Sequence, residues 1–263
     1  MEFAQYASMM SYEPRQELER FGSALAKASH HDNPKLKAAL YLQGPPGVGK
    51  TEAVFKLGKT LELPVIKINL AEFPNIGALK GIRCEYFEEN HCGPGLIAQQ
   101  LFGQPYKNAI LFFDEADHVL NRIQEGQQHE MVSFMLDLLE GKTKSIYNPY
   151  FGFEIDIRHF GIILAGNQPL SNKALQSRLN ILSFGNYTED YRIKAAKERF
   201  LPEILESYSE ALKQEDLTQQ DWLAIDAIAK REHEKLEKTG EDPGFRGQIR
   251  ELERFVHQKA TSI

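Results

Sequence analysis

One segment of eight residues restricts the fold of this chain more than any other: Gly44-Pro45-Pro46-Gly47-Val48-Gly49-Lys50-Thr51. A short apolar stretch, Ala38 to Gln43, precedes it, and a helical pattern from Lys50 to Leu63 follows it. The segment matches the pattern G-x-x-x-x-G-K-[ST], whose glycines let backbone N–H groups and a helix N-terminus face phosphate groups. In this pattern the lysine reaches the β- and γ-phosphates, and the hydroxyl binds Mg²⁺. The sequence therefore predicts a phosphate-binding loop between a strand and a helix.

A second segment, Ile110-Leu111-Phe112-Phe113-Asp114-Glu115, is an apolar strand that ends in two adjacent acids. In a parallel sheet, ligands bind at the carboxyl edge of the strands. There we expect Asp114 to complete the Mg²⁺ shell through water and Glu115 to polarise an attacking water. A solvated acidic turn is the alternative for this pair, and we expect Asp117 to cap a helix or support the site. The two motifs together predict a nucleoside-triphosphate hydrolase.

The remaining pattern predicts an α/β core followed by helices. Short apolar stretches predict further strands at Val65 to Leu70, Ala109 to Phe113, Phe160 to Ala165 and Ile181 to Phe184. Strands that alternate with helices form a mostly parallel sheet covered on both faces. After about Thr188 the periodicity is helical throughout. We therefore expect an N-terminal helical segment (1–34), an α/β nucleotide-binding core (35–187) and an all-helical domain (188–263).

Composition excludes few classes of protein. The 31 basic and 37 acidic residues leave a net charge of −6, which argues weakly against a surface that grips nucleic acid everywhere. Apolar runs are far shorter than the ~18 residues of a membrane helix, and the start lacks the features of a secretory signal. We expect a cytoplasmic protein that does not enter a membrane. Cys84 and Cys92 are then expected to be reduced loop thiols rather than metal ligands.

At these motifs the chain resembles the AAA+ ATPases, and the resemblance covers nearly all of residues 35 to 260. Within that superfamily it is most similar to the ATPase module of the Lon proteases. The resemblance implies an α/β P-loop core with strand order 5-1-4-3-2, a small helical lid, bound ATP with Mg²⁺, and usually a ring of six subunits. Because the sequence ends at Ile263, soon after the lid, we expect no protease activity from this chain alone. The segments that carry the closer similarity are Pro94-Gly95-Leu96-Ile97, Lys107-Asn108-Ala109-Ile110, Tyr187-Thr188-Glu189-Asp190, Ala195-Ala196-Lys197 and Phe200-Leu201-Pro202.

The resemblance also implies two further catalytic residues. Asn167, at the end of an apolar strand, corresponds to the sensor that orients the lytic water, although an Asn before Gln168-Pro169 is also a typical turn residue. Arg178 corresponds to the arginine finger that enters the site of the neighbouring subunit, a contribution of about 10³ to 10⁵ in rate. A surface ion pair is the alternative for Arg178, and Arg122 is the rival for a contact across the interface.

In the last helical segment, Gly247 to Arg254, the resemblance implies an arginine that touches the γ-phosphate from the lid. Arg250 is our choice for this residue. Arg246 and Arg254 lie one helical turn away on the same face, so either could take the role instead. Any of the three would report the presence of the terminal phosphate as a movement of the lid.

Two aromatic segments could contact a substrate. In related unfoldases a loop points an aromatic-aliphatic pair into a central pore, and Tyr86-Phe87 stands at that position. The loop is a few residues longer and more acidic than the usual Lon pattern, and such a pair can also pack against its own domain. The stretch from Lys144 to Phe153 could be a second pore loop or simply a β-hairpin.

Three functions remain open on this basis. The first is an ATP-dependent motor, a homo-oligomer that remodels or unfolds a protein substrate and whose site a neighbour completes. The second is a nucleic-acid-associated loader or transposition helper, which is less favoured because no clustered Lys or Arg accompanies Tyr86-Phe87. The third is a scaffold that assembles on ATP and hydrolyses it very slowly.

Overall fold

The computed structural model describes residues 18–23, 39–72, 75–84, 92–102, 109–122, 127–140, 144–158, 160–185, 187–208, 212–240 and 244–261. The chain divides into an α/β unit, which includes Lys50–Ser183, and a helical unit, which combines Gly44–Gly49 with Phe184–Ile263. Most of the expected N-terminal segment lies outside the described residues. Residues 18–23 of that segment are helical, and Leu18 and Phe21 are buried.

Five parallel strands form the sheet of the α/β unit, in the order β2-β3-β6-β1-β7. Nearly continuous burial of the central strands explains their apolar sequences, because both faces of a parallel sheet are covered. These findings confirm the predicted α/β P-loop fold. The strand numbers differ from the expected order 5-1-4-3-2 in one detail. A separate hairpin, β4-β5, comes before the fourth strand of the sheet, so the fourth and fifth strands of the sheet are β6 and β7. The strands are β1 (Ala39–Gln43), β2 (Val65–Asn69), β3 (Ile110–Asp114), β4 (Ser145–Asn148), β5 (Phe153–Asp156), β6 (Gly161–Gly166) and β7 (Asn180–Ser183).

The register of these strands aligns their carboxyl ends. Gln43, the last residue of β1, pairs with Gly166, the last residue of β6. On the other side of β6, Phe113 of β3 pairs with Leu164. The residues that follow β1, β3 and β6 therefore leave the sheet along one edge.

Helices pack on the sheet of the α/β unit. α1 begins at Lys50 and lies against β2, β3 and β6. It ends at Thr60, three residues before the expected Leu63, where Glu62 adopts a left-handed backbone (φ 55°) that cannot continue a right-handed helix. The described helices of this unit are α1 (Lys50–Thr60), α2 (Ile76–Lys80), α3 (Gly95–Phe102), α4 (Ala116–Leu120), α5 (Gln127–Leu139) and α6 (Lys173–Gln176).

The stretch from Lys144 to Phe153 forms the start and turn of the β4-β5 hairpin, one of its two expected structures. Buried Asn148 fixes the turn, because its Oδ1 accepts a hydrogen bond from the Phe151 backbone N–H (3.1 Å) and its Nδ2 donates to the Pro94 carbonyl (2.7 Å). Four exposed aromatic rings form a cluster here, with neighbouring ring centroids 5.0 to 6.2 Å apart. This aromatic cluster consists of Phe102, Tyr150, Phe151 and Phe153.

Cys84 and Cys92 form a disulfide, which corrects the prediction of reduced thiols. An isolated antiparallel bridge between Ile82 and Gly93 holds the two chain segments together and brings the cysteine Cα atoms to 4.9 Å, within the usual range for a disulfide. The sequence pattern missed this pairing because the bridge depends on backbone hydrogen bonds. Tyr86-Phe87 lies outside the described residues, so its pore contact stays a prediction.

The helical unit contains a break that the sequence pattern did not predict. The expected helix from Tyr191 to Leu212 instead comprises α7, a π-helical turn (Ala196–Phe200) and α8. Pro202 lacks the N–H that an α-helix requires, and the Leu201 N–H reaches back five residues to the Ala196 carbonyl. No helix in the described ranges is long and apolar enough to cross a membrane. The α-helices described in this unit are α7 (Glu189–Ala195), α8 (Leu201–Glu206), α9 (Gln219–Thr239) and α10 (Arg246–Ala260).

A capping box begins α9. Thr218 Oγ1 accepts a hydrogen bond from the Asp221 N–H, and Asp221 Oδ2 accepts one from the Thr218 N–H (2.7 Å). Lys259 of α10 adds an ion pair to the same carboxylate (2.9 Å). The hydrogen bond from the Thr218 hydroxyl and then the one from Lys259 lower the pKa of Asp221 from 3.8 to about 2. Ionised Asp221 therefore stabilises the folded helical unit.

We expect Asp221→Asn to lower the free energy of unfolding by about 1 to 2 kcal/mol at pH 7. Because the folded-state pKa is depressed, this contribution is complete above pH 4 and is lost as the pH falls towards 2. Denaturant unfolding at several pH values between 7 and 3 measures the difference. The exposed Glu253→Gln serves as the control, and a difference for Asp221→Asn that stays constant over this range would contradict the assignment.

Candidate active site

Asp114 and Thr51 meet at the carboxyl edge of the sheet. The Thr51 hydroxyl donates to Asp114 Oδ2 (3.3 Å), and the Glu115 backbone N–H donates to Asp114 Oδ1 (3.0 Å). Lys67 of β2 forms an ion pair with the same Oδ2 (2.8 Å). A hydroxyl and a carboxylate are hard oxygen donors of the kind that Mg²⁺ prefers. The residues present therefore fit a magnesium ion, and Thr51 and Asp114 are the groups that would hold it.

Lys50 and Asn167 also come together. Lys50 is only 8% exposed, and its ammonium donates to the Asn167 side-chain carbonyl (3.0 Å). Lys50 is the first residue of α1, and Asn167 directly follows β6. Both residues therefore lie at the carboxyl edge of the sheet, which accounts for their proximity. The structure thus joins the expected phosphate-binding lysine to the expected sensor.

Asp117 holds the turn that carries Asn167. Its buried Oδ2 accepts hydrogen bonds from the backbone N–H groups of Asn167 (3.0 Å) and Gln168 (2.9 Å). The Tyr41 hydroxyl donates to the Gln168 carbonyl, and burial together with the Asp117 charge raises the pKa of Tyr41, which keeps the hydroxyl protonated. Gly166 leaves room for the Tyr41 hydroxyl, because a Cβ on residue 166 would lie 2.2 Å from Tyr41 Oη. Asn167 is therefore positioned by a partly buried polar network.

Glu115 occupies a strained position. Its backbone is left-handed (φ 54°, ψ 34°), a conformation that costs a non-glycine residue roughly 1 to 2 kcal/mol. The side chain is exposed, and the residue stands immediately before α4. Strain of this kind is concentrated at functional sites. Glu115 therefore stands next to Asp114 with an exposed side chain on a strained backbone.

The phosphate-binding loop, Gly44–Gly49, makes its described contacts within the helical unit. The Phe245 N–H donates to the Gly47 carbonyl (3.0 Å), and the Tyr187 hydroxyl donates to the Val48 carbonyl (2.9 Å). The rings of Tyr187 and Phe245 stack at 4.9 Å. Gly47 has φ 81°, a region that favours glycine. These bonds to carbonyl oxygens fix the loop backbone in its curled conformation.

The arginines differ in their surroundings. Arg246 lies against the phosphate-binding loop, because a Cβ built at Gly47 would be 2.8 Å from Arg246 Cγ. Arg250 and Arg254 are exposed on the same helix. Arg178 follows α6, is exposed, and donates to the Ala174 carbonyl (2.8 Å). Arg122 is likewise exposed, after α4.

Sequence reasoning missed Lys67 and Tyr41. Lys67 interrupts the apolar sequence of β2, and the predicted strand order makes β2 the neighbour of β3. These two signals together could have placed a lysine beside Asp114. Tyr41 carries a hydroxyl within the buried, apolar part of β1, and a buried hydroxyl requires a hydrogen-bond partner. Its partner, the Gln168 carbonyl, could not be identified before the register was known.

Comparisons of the sequence with known proteins identify a family and several relatives. Residues 40–185 match the model of the ATPase family associated with various cellular activities (AAA). The Lon protease of Helicobacter pylori (strain ATCC 700392 / 26695) is 27% identical over 172 residues, which cover 65% of this chain and 20% of that protein. The Lon protease of Campylobacter jejuni is 28% identical over 211 residues, or 78% of this chain and 25% of that protein.

A third relative is the peroxisomal Lon protease homolog 2 of Pichia angusta, 27% identical over 169 residues, which cover 64% of this chain. The matched region is 17% of that protein, so the chain spans a quarter or less of the length of these three relatives. Because the family model covers more than half of the sequence, the chain belongs to the AAA family of ATPases and is similar to the ATPase region of Lon proteases.

Proposed function

We propose that this chain is a Mg²⁺-dependent ATP-driven motor that remodels or unfolds a protein substrate. The observation that carries the proposal is a set of two contacts at the carboxyl edge of the sheet. Lys50 contacts Asn167, and Thr51 contacts Asp114. The first pair offers a cation for a phosphate and an amide for a water. The second pair offers oxygen ligands for a metal. ATP hydrolysis requires these groups together.

The residues of this edge have separate roles in the proposal. A phosphate that binds Lys50 competes with the Asn167 carbonyl, and the released amide can then orient water. Glu115, on its strained turn, polarises that water. Thr51 and Asp114 would hold the Mg²⁺, which would supply positive charge for the phosphate groups. Asp117 keeps Asn167 within reach throughout, because it binds the backbone and leaves the amide side chain free to change partner.

A neighbouring copy completes the site in this proposal, as the AAA family assignment suggests. Arg178 is exposed, and its recorded hydrogen bond is to the helix that precedes it, so its guanidinium is available at the surface. We propose that Arg178 enters the site of the next subunit of a ring, for which six copies is the expected number. Arg122 remains the alternative.

Arg246 becomes the first choice for the arginine that detects the terminal phosphate, ahead of Arg250. Its stem lies against Gly47 of the phosphate-binding loop, whereas Arg250 stands one turn further along α10. A guanidinium next to this loop can form charge-assisted hydrogen bonds with phosphate oxygens.

The proposed substrate is a polypeptide. The relatives are named proteases, and the aromatic cluster offers exposed apolar rings with which a motor could grip an unfolded chain. Tyr86-Phe87 remains the second candidate contact. Aromatic rings also stack on nucleic-acid bases, so salt-sensitive stimulation of ATPase activity by single-stranded DNA, but not by an unfolded protein, would favour the loader function.

Cytoplasmic location stays part of the proposal. The Cys84–Cys92 disulfide weighs against it, because disulfides are rare in reducing compartments. Alkylation of the two thiols immediately after cell lysis would measure their state where the protein resides.

Glu115→Gln should bind ATP and hydrolyse it about 10² to 10⁴ times more slowly, because the amide cannot accept a proton from water. A fluorescent ATP analogue measures binding, and phosphate release measures turnover. Glu130→Gln, an exposed change on α5, is the control. Wild-type turnover in Glu115→Gln would exclude this residue as the group that activates water.

Arg178→Ala should lower turnover by about 10³ or more at protein concentrations that allow assembly. Mixing Arg178→Ala with Glu115→Gln should restore activity, since some interfaces then join an intact site to an intact arginine. Arg122→Ala, mixed in the same way, tests the alternative residue. Lack of recovery in mixtures with proven co-assembly would contradict action on a neighbour.

Arg246→Ala should reduce the preference for ATP over ADP by roughly tenfold, the effect of a charge-assisted hydrogen bond on the γ-phosphate. Arg250→Ala is the matched control, because it removes the same side chain one helical turn away. Calorimetric titration with ADP and with a non-hydrolysable ATP analogue gives both affinities. A larger loss of preference in Arg250→Ala would restore the original assignment.

A further inference from the structure

We propose that Lys67 is a built-in counter-ion that sets the affinity of the site for Mg²⁺. In the absence of metal its ammonium neutralises Asp114, and a metal ion has to displace it. This inference rests on the proposed function, because that function makes Asp114 a metal-binding group. It adds a residue that determines how much free Mg²⁺ the ATPase requires.

The first argument is the shared oxygen. Lys67 Nζ lies 2.8 Å from Asp114 Oδ2, and the Thr51 hydroxyl donates to that same oxygen from 3.3 Å. The Thr51 hydroxyl and the Asp114 carboxylate are the two groups that would hold Mg²⁺. Lys67 therefore places positive charge next to the ligands of the cation. A metal and an ammonium cannot both approach one carboxylate without mutual repulsion.

The second argument is the difference in exposure between the partners. The Asp114 side chain is 16% exposed, so its charge is costly to leave without compensation. The Lys67 side chain is 40% exposed and stands on β2, beside β3. Its long, flexible stem can swing into water while its backbone stays in the sheet. Such a side chain can leave when a metal arrives and return when the metal departs.

The third argument is the assignment of the second ammonium. Lys50 donates to Asn167 Oδ1, and Lys67 pairs with Asp114. The two ammonium groups thus contact different acceptors, one an amide oxygen and the other a carboxylate oxygen. Lys67 is therefore the lysine whose charge the proposal assigns to Asp114.

The test measures metal binding directly, with Mn²⁺ as the probe and the nucleotide-free full chain as the protein. Lys67→Met keeps most of the stem and removes the charge, so we expect it to bind Mn²⁺ about tenfold more tightly, as for a partly screened ion pair. Lys67→Arg keeps the charge and should remain close to wild type. The electron paramagnetic resonance signal of free Mn²⁺ reports the binding.

Two controls separate this explanation from others. Lys194→Met removes an exposed ammonium that pairs with Glu198 at 3.9 Å, and it should leave Mn²⁺ affinity unchanged. Adding Asp114→Asn to Lys67→Met should abolish the gain, because the freed carboxylate is its source. Unchanged Mn²⁺ affinity in Lys67→Met, or a gain that survives Asp114→Asn, would overturn the inference.

A second measurement distinguishes a counter-ion from a phosphate ligand. Without divalent metal, Lys67→Met should bind a non-hydrolysable ATP analogue as tightly as wild type. A tenfold loss there would overturn the inference and make Lys67 a direct phosphate contact. Failure of the wild-type chain to bind the analogue with or without Mg²⁺ would instead refute the proposed function itself. Circular dichroism confirms folding, and Lys67→Gln replaces Lys67→Met if that variant unfolds.

Discussion

The parallel register of β1, β3 and β6 is the constraint on which the candidate site depends. Because these strands end together, α1, Glu115 and Asn167 all lie at one edge of the sheet, although 117 residues separate Asn167 from its partner Lys50 in sequence. Both faces of the sheet are covered, so the polar side chains that follow the buried apolar strands lie at the edge of the sheet. The same packing that makes the strands apolar thus concentrates the charged groups at one place.

At this edge each of three charged groups has a polar or charged partner within the protein. Lys50 binds Asn167, Lys67 binds Asp114, and Asp117 binds two backbone N–H groups. A half-buried charge without a partner would destabilise the fold, so these contacts are needed before any ligand arrives. Ligand binding then becomes an exchange of partners rather than the filling of an empty pocket. The net gain from each exchange is smaller than the new contact alone, which suits the proposed ATPase because such an enzyme must also release its product.

The sequence was sufficient to predict which groups meet at this edge, and less so the groups that support them. The loop pattern and the paired acids depend on local spacing, so Lys50, Thr51 and Asp114 followed from the chain alone, whereas the five-strand order followed from the resemblance to AAA+ ATPases. Lys67 depends on the pairing of two strands 41 residues or more apart, and the disulfide depends on the bridge between Ile82 and Gly93. The break before α8 was visible as Pro202, yet helical periodicity on both sides hid it.

The position of β6 limits how the site can influence the aromatic cluster. The β4-β5 hairpin comes shortly before β6, and Asn167 comes directly after it, so one strand connects the proposed substrate contact to the proposed sensor. β6 is nevertheless paired with β1 on one side and β3 on the other, and all its residues are buried. A strand held in this way cannot slide alone, because both ladders of hydrogen bonds would have to break together. A change of partner at Asn167 can therefore affect the hairpin through a movement of the α/β unit as a whole. Deformation of β6 alone is the less favourable route.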